Sequence, residues 1–360
     1  MNTTDNKPAT NSPRIAAVDL FCGVGGLTHG MQRKGIPVLA GVDLEASCKF
    51  PYEANNNAKF ICKSVTEITS QEISQYYEGA DIRVLVGCAP CQTFSNHTQK
   101  NKKRQEDSKW SLLYSFLDQI KAIRPDIVSM ENVAELARYE IFDDFVLGLE
   151  TEGYWVSHQV VNAANYGVPQ RRRRLVLLAS RFGPISLAES ERTEKQVTVR
   201  DVIAGLPKIR AGETHPSDSL HHSSCLSPIN MARIKQSKPG GTWKDWDESL
   251  LAECHKKPSG STYSSVYGRM EWDKLCPTIT TQFYSFGTGR FGHPEQNRAL
   301  SLREGAMMQT FPQDYQFFRK GEKFYTRHVG RMIGNAVPVK LGELVGQSIL
   351  EHVYEYTGNE

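Results

Sequence analysis

One cysteine follows a predicted strand at the edge of a parallel sheet. Ile82 to Gly87 is short, rich in β-branched residues and apolar, which is typical of a strand buried on both faces. Gly87 and Pro90 end this strand, and Cys91 follows in the step Pro90-Cys91-Gln92. Ligands of open α/β sheets bind beyond the carboxyl ends of the strands, and Pro90 restricts the backbone before the thiol. We therefore predict Cys91 as a nucleophile; the alternative is a packed core thiol.

The same cysteine also belongs to a C-x-x-C spacing over residues 88–91, as in redox motifs and half of a zinc site. A zinc site needs a second ligand pair, and the nearest candidates, His221-His222 and Cys225, are poorly spaced. We therefore predict no metal. A redox motif would place Cys91 before a helix, whereas residues 96–107 are polar and rich in lysine. That composition favours a cationic flap over an anionic substrate.

A second strand brings an acid to the same edge. Asp126 to Met130 follows Pro125 as a short apolar strand, and Glu131 comes directly after it. We predict that Glu131 and Cys91 lie at neighbouring strand ends, where an acid and a nucleophile can act together. The alternative role of Glu131 is a cap for the helix that follows.

Four consecutive arginines, Arg171 to Arg174, lead into the apolar strand Leu175 to Ala179. Because strand side chains alternate, Arg172 and Arg174 share one face and the other two share the opposite face. Only one of these pairs can serve a given site, and the alternative is a solvated charged surface.

The first part of the chain has the pattern of a nucleotide cradle. The strand Arg14 to Phe21 runs into the glycine-rich turn Cys22 to Gly26 and then into a helix. A second strand, Pro37 to Val42, ends at Asp43, where an acid holds the ribose hydroxyls of an adenosine cofactor. The alternative is a helix cap at Asp43. No Gly-Lys-Ser/Thr motif is present, which argues against a nucleoside triphosphate.

Composition limits the class of protein. The 360 residues suffice for two domains, and lysine plus arginine exceed aspartate plus glutamate by only 43 − 40 = 3. The eight cysteines are scattered singly, which predicts a reducing cytoplasm and free thiols. No apolar run approaches the roughly 18 residues of a membrane span, and we expect no membrane association. Residues 1–13 are predicted to form a disordered tail.

The rest of the chain alternates helices and strands up to about residue 207, including an amphipathic helix from Leu112 to Ile123. From Lys208 the sequence becomes rich in Gly, Pro, Ser, His and Trp, which indicates a loop-rich module suited to reading base edges. The step from Gly334 to Pro338 then precedes a last amphipathic helix, Val339 to about Tyr354.

Together these motifs resemble the DNA cytosine-5 methyltransferase family. The motifs, in family order, are Asp19-Leu20-Phe21-Cys22-Gly23-Val24-Gly25-Gly26, Pro90-Cys91-Gln92, Glu131-Asn132-Val133, Gln170-Arg171-Arg172-Arg173-Arg174 and Gly334-Asn335-Ala336-Val337-Pro338. The resemblance implies an α/β fold: a Rossmann-like S-adenosylmethionine-dependent methyltransferase sheet with a smaller loop-rich target-recognition domain. It divides the chain into a catalytic domain (14–207), a target-recognition domain (208–285), a hinge and return segment (286–333) and a C-terminal helix (334–360) that packs beside the first strand.

The resemblance also implies roles for individual residues. It makes Cys91 the nucleophile and Glu131 the proton donor on the N3 side of cytosine, and it gives Arg172 and Arg174 contacts to cytosine O2 or support of the catalytic loop. It assigns cofactor contacts to Phe21, Gly23, Gly25, Asp43, Leu44, Ser64, Val65, Pro90, Leu112, Asn335 and Val337. The chain departs from the family pattern at Lys63-Ser64, where relatives have an acid near the adenine, and at Lys109, where arginine is frequent.

The implied function is methyl transfer from S-adenosyl-L-methionine to C5 of a flipped-out cytosine in a specific double-stranded DNA sequence, through a covalent adduct of Cys91 with C6. We expect a monomeric, cytoplasmic, nucleoid-associated enzyme of a restriction-modification system, with a cognate endonuclease as a possible partner. The alternatives are a tRNA cytosine-5 methyltransferase and a catalytically silent DNA-binding regulator. A thioredoxin-like oxidoreductase is a remote third. The DNA recognition sequence cannot be read from the chain.

Overall fold

The computed structural model describes residues 13–90, 111–257, 260 and 264–358. Cys91, the flap at residues 96–107 and Lys109 lie outside the described residues, as does the predicted tail up to residue 12. The strands of the first half are β1 (Ile15–Leu20), β2 (Val38–Asp43), β3 (Lys59–Cys62), β4 (Ile82–Gly87), β5 (Ile127–Val133), β6 (Trp155–Asn162), β7 (Gln170–Arg171) and β8 (Arg173–Ser180).

Seven of these strands form one central sheet in the order β3-β2-β1-β4-β5-β8-β6. The first five strands of that order pair in parallel, as their continuous apolar sequences predict. In contrast, β8 runs antiparallel to both β5 and β6. The link from Asn162 to Arg173 is too short for a helical crossover, so the chain must turn back on itself.

Helices cover both faces of the sheet. The helices in chain order are α1 (Gly26–Arg33), α2 (Lys49–Asn55), α3 (Ser70–Ser74), α4 (Ser111–Ile123), α5 (Glu140–Thr151), α6 (Val199–Ile203), α7 (Pro228–Gln236), α8 (Leu302–Met308), α9 (Thr326–Asn335) and α10 (Val339–Thr357). Phe116 of α4 and Phe145 of α5 pack on the face that contains Val18. On the opposite face, Met31 of α1 and Ile349 of α10 pack against neighbouring strand residues. The last helix thus shares a hydrophobic cluster with Ala17 of the first strand.

The loop-rich region contains little regular structure. Its strands are β9 (Thr214–His215), β10 (Asp218–His222) and β11 (Cys276–Pro277). A small separate core there is built around Trp243, Trp246 and Phe286. β11 pairs in parallel with β7, which joins this region to the chain beside the central sheet. The exact domain boundaries given above remain predictions.

Helices α3 and α6 to α9 were not predicted individually from the sequence. The buried face of α9 has only Val329 and Ile333 as large residues, beside Gly330 and Gly334, and glycine is a poor helix former. At Gly334, an added Cβ would lie 2.4 Å from the carbonyl oxygen of Thr280. Glycine is therefore required there for close packing. In the described part of the chain, no helix combines the length and the apolar character that crossing a bilayer requires.

A buried ion pair stabilises the segment that leads back to the sheet. The guanidinium of Arg298 donates to both carboxylate oxygens of Glu304, at 2.6 and 2.7 Å, and both side chains are 1% exposed. Burial alone would raise the pKa of Glu304, but the charge and hydrogen bonds of Arg298 outweigh it and lower that pKa to about 2.

We predict that Arg298→Met lowers the free energy of unfolding by about 3–5 kcal/mol, because it leaves a buried carboxylate without its partner. Urea unfolding at pH 7 measures this loss. Since the pKa of Glu304 falls from 4.5 to about 2 on folding, the pair stabilises fully above pH 4.5. The difference in free energy of unfolding between wild type and variant should therefore decrease as the pH falls toward 2.

The matched control is Arg200→Met. Arg200 also binds a carboxylate with two nitrogens, but it and Asp273 are 51% and 73% exposed. Exposed pairs contribute little, so this variant should unfold nearly as wild type does. Equal losses in the two variants would contradict the prediction.

Candidate active site

A cavity of about 310 Å³ opens at the carboxyl ends of β1 and β4. From β1 the chain continues to β2 on one side of the sheet, and from β4 it continues to β5 on the other side. The cavity therefore lies where the strand order reverses. Its walls comprise Phe21, Cys22, Gly23, Val24, Asp43, Glu45, Cys48, Cys88, Ala89, Pro90, Arg331, Met332, Asn335, Ala336 and Val337. Six residues predicted to bind the cofactor are among them: Phe21, Gly23, Asp43, Pro90, Asn335 and Val337.

The glycine-rich turn forms one wall of this cavity. Phe21 has φ 61° and Gly23 has φ 52°, so the backbone enters the left-handed region twice within three residues. A phenylalanine rarely adopts that conformation, and strain of this kind is concentrated at ligand sites. At Gly26, an added Cβ would lie 2.1 Å from the carbonyl oxygen of Val337. The start of α1 must therefore be glycine for the 335–337 segment to close the cavity.

Asp43 connects the second strand to the turn. Its Oδ2 accepts from the backbone N–H of Gly23 at 2.8 Å, and its Oδ1 accepts from the N–H of Glu45 at 2.9 Å. Burial raises the pKa of Asp43, while these backbone hydrogen bonds oppose the rise. Each oxygen keeps a second lone pair, so the carboxyl group can also accept from a ligand hydroxyl.

The other predicted cofactor residues do not line this cavity. Gly25 precedes α1 with φ 87°, Leu44 is 70% exposed, and Leu112 lies in the first turn of α4. Ser64 shares a hydrogen bond of 2.7 Å with the hydroxyl of Thr66, and Val65 is buried in the core. Their roles remain predictions.

Glu131 is buried at the same edge of the sheet and has two close partners. Its Oε1 lies 2.9 Å from Nε of Arg174, and its Oε2 accepts from the thiol of Cys88 at 2.8 Å. The carboxylate side chain is 5% exposed. Among the described residues, none donates a well-aligned hydrogen bond to Oε1, so that oxygen retains capacity for a substrate N–H. β5 ends at Val133, so Glu131 lies among the last paired residues of this strand and not beyond it.

The residue after Glu131 holds the chain just before Cys91. The side-chain amide of Asn132 donates to the carbonyl oxygen of Ala89 at 3.1 Å, and both residues are buried. Asn132 Oδ1 in turn accepts from the N–H of Val133 at 2.9 Å. The Glu131-Asn132-Val133 motif therefore fixes the backbone that leads to Pro90.

The four arginines alternate in burial as predicted: Arg172 and Arg174 point inward, and the other two are exposed. The inward pair has different contacts, however. Arg174 pairs with Glu131, whereas Arg172 is 4% exposed and donates to the carbonyl oxygens of Ile279 and Ala336 at 3.2 and 3.3 Å. Arg172 thus ties the sheet to the loop-rich region and to the cavity wall.

Two charged residues of the cavity were missed by the sequence analysis. Glu45 follows β2, Arg331 lies in α9, and their side chains form an ion pair of 2.6 Å. The hydroxyl of Ser47 and the charge of Arg331 lower the pKa of Glu45. Because the two residues are 286 positions apart, no local pattern could have paired them.

A larger cavity, of about 550 Å³, lies between the arginine run and the loop-rich region. Three cations, Arg171, Lys274 and Arg290, contribute to its walls together with Glu271. Nη1 of Arg290 donates to the carbonyl oxygens of Gly241 and Arg269 at 2.5 and 3.3 Å, which holds this guanidinium in place. The cavity is suited to an anionic ligand.

Two bacterial proteins are similar to this chain over nearly its whole length. Type II methylase M.HgiDII of Herpetosiphon aurantiacus is 53% identical over 348 residues, which cover 94% of this chain and 97% of the relative. Type II methyltransferase M1.HphI of Haemophilus parahaemolyticus is 31% identical over 349 residues, or 94% of this chain and 87% of that protein.

Solved structures show the same fold. An E. coli prophage protein described as a DNA modification methyltransferase superposes with a TM-score of 0.70 at 20% identity, covering 94% of this chain and 99% of its own. The methyltransferase EhMeth of Entamoeba histolytica gives 0.64 at 14% identity, covering 95% and 98%. The Rossmann-like methyltransferase fold expected from the sequence is confirmed.

The family pattern itself spans the sheet, the cavity and the loop-rich region. The family of C-5 cytosine-specific DNA methylases matches residues 15–351. The chain therefore belongs to the C-5 cytosine-specific DNA methylase family and is a DNA (cytosine-5)-methyltransferase.

Proposed function

We propose that the enzyme transfers a methyl group from S-adenosyl-L-methionine to C5 of a flipped-out cytosine in a specific duplex sequence, through a covalent bond between Cys91 and C6. One observation carries the proposal. The Glu131–Arg174 pair and the segment that precedes Cys91 meet at the rim of the cavity between β1 and β4. The nucleophile, the acid and the methyl donor would then share one strand edge.

The cavity residues fit S-adenosylmethionine. Asp43 offers acceptor oxygens for the two ribose hydroxyls, and Phe21, Pro90 and Val337 offer apolar surface for the adenine and the thioether chain. Asn335 adds an amide at the same wall. When bound, this cofactor supplies an electrophilic methyl group on a sulfonium.

The chemistry requires a nucleophile because C5 of cytosine is unreactive in the aromatic ring. Addition of the Cys91 thiolate to C6 removes the aromaticity and creates enamine density at C5. Glu131 protonates or hydrogen-bonds N3 and the 4-amino group as charge develops. Its Oε1, which pairs with Arg174, keeps lone-pair capacity for this contact. Arg174 holds O2. After methylation a base removes the proton from C5, and elimination releases Cys91.

The buried position of Glu131 demands that the base leave the duplex, at a cost of a few kcal/mol. Contacts to phosphates and bases must compensate for that cost. We propose that the cationic cavity at Arg171, Lys274 and Arg290 makes such contacts next to the loop-rich region. The lysine-rich composition of residues 92–109 suits further contacts to phosphates. We further propose a monomeric enzyme that acts on nucleoid DNA in the cytoplasm beside a cognate endonuclease, because the named relatives are Type II modification enzymes.

We predict that Cys91→Ser abolishes methyl transfer to DNA and leaves cofactor binding intact, because a serine hydroxyl is a far weaker nucleophile than a thiolate. Transfer of labelled methyl groups and calorimetric titration with the cofactor measure the two properties. Cys225→Ser changes an exposed thiol and is the control.

Wild-type enzyme should also form a denaturation-resistant complex with DNA containing 5-fluorocytosine, since fluorine cannot leave as a proton. Full activity of Cys91→Ser, or no trapping by an active enzyme, would exclude the adduct. If the enzyme methylates tRNA in preference to DNA, then tRNA is its substrate and the proposal of a DNA substrate is wrong.

We predict that Asp43→Asn weakens cofactor binding about 10–100-fold, because a charged acceptor for the ribose hydroxyls is lost. Calorimetric titration with S-adenosylmethionine gives the dissociation constant. Asp118→Asn, an exposed change on α4, should bind as wild type does. If Asp43→Asn binds S-adenosylmethionine as tightly as wild type does, Asp43 does not bind the ribose.

We predict that the two inward arginines differ when each is changed to methionine. Arg174→Met should lower kcat of the folded enzyme by at least about ten-fold, because it removes a contact to the reacting base. It should also lower the free energy of unfolding, because the buried carboxylate of Glu131 loses its cation. Arg172→Met should lower the free energy of unfolding by about 2–4 kcal/mol, since the Ile279 and Ala336 carbonyls lose their donor. Urea unfolding and steady-state kinetics on the folded variants test this. A loss of kcat confined to Arg172→Met would exchange the two roles.

A further inference from the structure

We propose that Cys88 is a positioning residue for the reaction: its thiol holds the carboxylate of Glu131 in the orientation that the substrate base meets. The inference rests on the proposed role of Glu131. Cys88 belongs to the C-x-x-C spacing that the sequence left without a function, and the proposed chemistry does not use it.

The sheet places the two residues side by side. β4 ends at Gly87, which lies opposite Met130 of β5 in parallel register. The next residue of each chain is therefore Cys88 on one strand and Glu131 on the other. The backbone N–H of Cys88 donates to the carbonyl oxygen of Leu20 at 3.2 Å, which extends the pairing with β1 by one residue. The position of the thiol is thus set by backbone hydrogen bonds.

The contacts to Glu131 are divided between its two oxygens. Oε2 accepts from Cys88 Sγ at 2.8 Å, and Oε1 lies 2.9 Å from Nε of Arg174. A contact on each oxygen fixes the plane of the carboxylate as well as its position. In the proposed reaction Arg174 also holds O2 of the base, so its grip on Glu131 must be shared with the substrate. The thiol is the contact that the substrate does not compete for.

The sulfur acts here as a donor and not as a second nucleophile. A thiolate 2.8 Å from a buried carboxylate would bring two negative charges into contact in a site of low dielectric constant. The neutral thiol instead donates a hydrogen bond to Oε2. This separates the role of Cys88 from the role proposed for Cys91, three residues later.

The test compares two substitutions at position 88. Cys88→Val removes the donor at similar volume and should lower kcat about ten-fold, with KM for S-adenosylmethionine within about two-fold of wild type. Cys88→Ser restores a donor and should recover most of kcat. Thermal unfolding of each variant is measured alongside, and if valine impairs folding, Cys88→Ala carries the same expectation. Cys225→Val, at an exposed cysteine, should change neither parameter.

A double-mutant cycle shows whether Cys88 acts through Glu131. In a Glu131→Gln background, Cys88→Val should lower kcat no further, because the carboxylate that it orients is absent. If the losses of kcat from Glu131→Gln and Cys88→Val multiply in the double variant, the proposal is wrong. Equal kcat values for Cys88→Val and Cys88→Ser would also overturn it.

The cycle also separates this inference from the proposed function. If Glu131→Gln lowers kcat and Cys88→Val does not, the positioning role is wrong and the role of Glu131 stands. If Glu131→Gln keeps full kcat, the role of Glu131 is wrong and the inference falls with it.

Discussion

The site depends on the parallel register by which β4 pairs with β1 on one side and β5 on the other. Leu20 lies opposite Gly87, and Gly87 lies opposite Met130. β1 and β4 end at this level, and β5 continues to Val133. The residues that follow these three, Phe21, Cys88 and Glu131, therefore emerge along one line at the sheet edge. A shift of one residue in either pairing would turn these side chains to the opposite face. Backbone hydrogen bonds thus set the relative positions of the cavity wall and the acid.

The buried carboxyl groups at this edge of the sheet each accept hydrogen bonds or pair with a cation, which offsets the cost of burying them. Glu131 has a thiol and a guanidinium, while Asp19, near the end of β1, accepts from the hydroxyl of Thr28 at 2.7 Å. Burial raises the pKa of Asp19 to about 7 despite that hydrogen bond. Burial is the main cause of the raised pKa of Asp19, whereas the carboxylate of Glu131 has a guanidinium beside it.

Local sequence patterns predicted the parts of the fold that depend on local physics. The strand bounds of β1, β4 and β6 and the helices α4 and α10 agree with the structure within a few residues, because each has a clear apolar pattern. The turn at Gly23 and the acid at Asp43 were also found, since the strand–turn–helix unit fixes their spacing. These two residues are joined by a hydrogen bond in the structure. What could not be predicted depends on contacts between distant segments: the Glu45–Arg331 pair, the anchoring of Arg172 and the thiol partner of Glu131.

The two ends of the cavity wall come from opposite ends of the chain. Phe21 and Gly23 belong to the first strand and turn, whereas Arg331, Asn335 and Val337 come more than 300 residues later. During synthesis on a ribosome, the sheet can form long before the segment that closes the pocket emerges. The nascent chain would therefore remain without a complete binding pocket until residues 331–337 are translated, which delays DNA modification until that segment has been made.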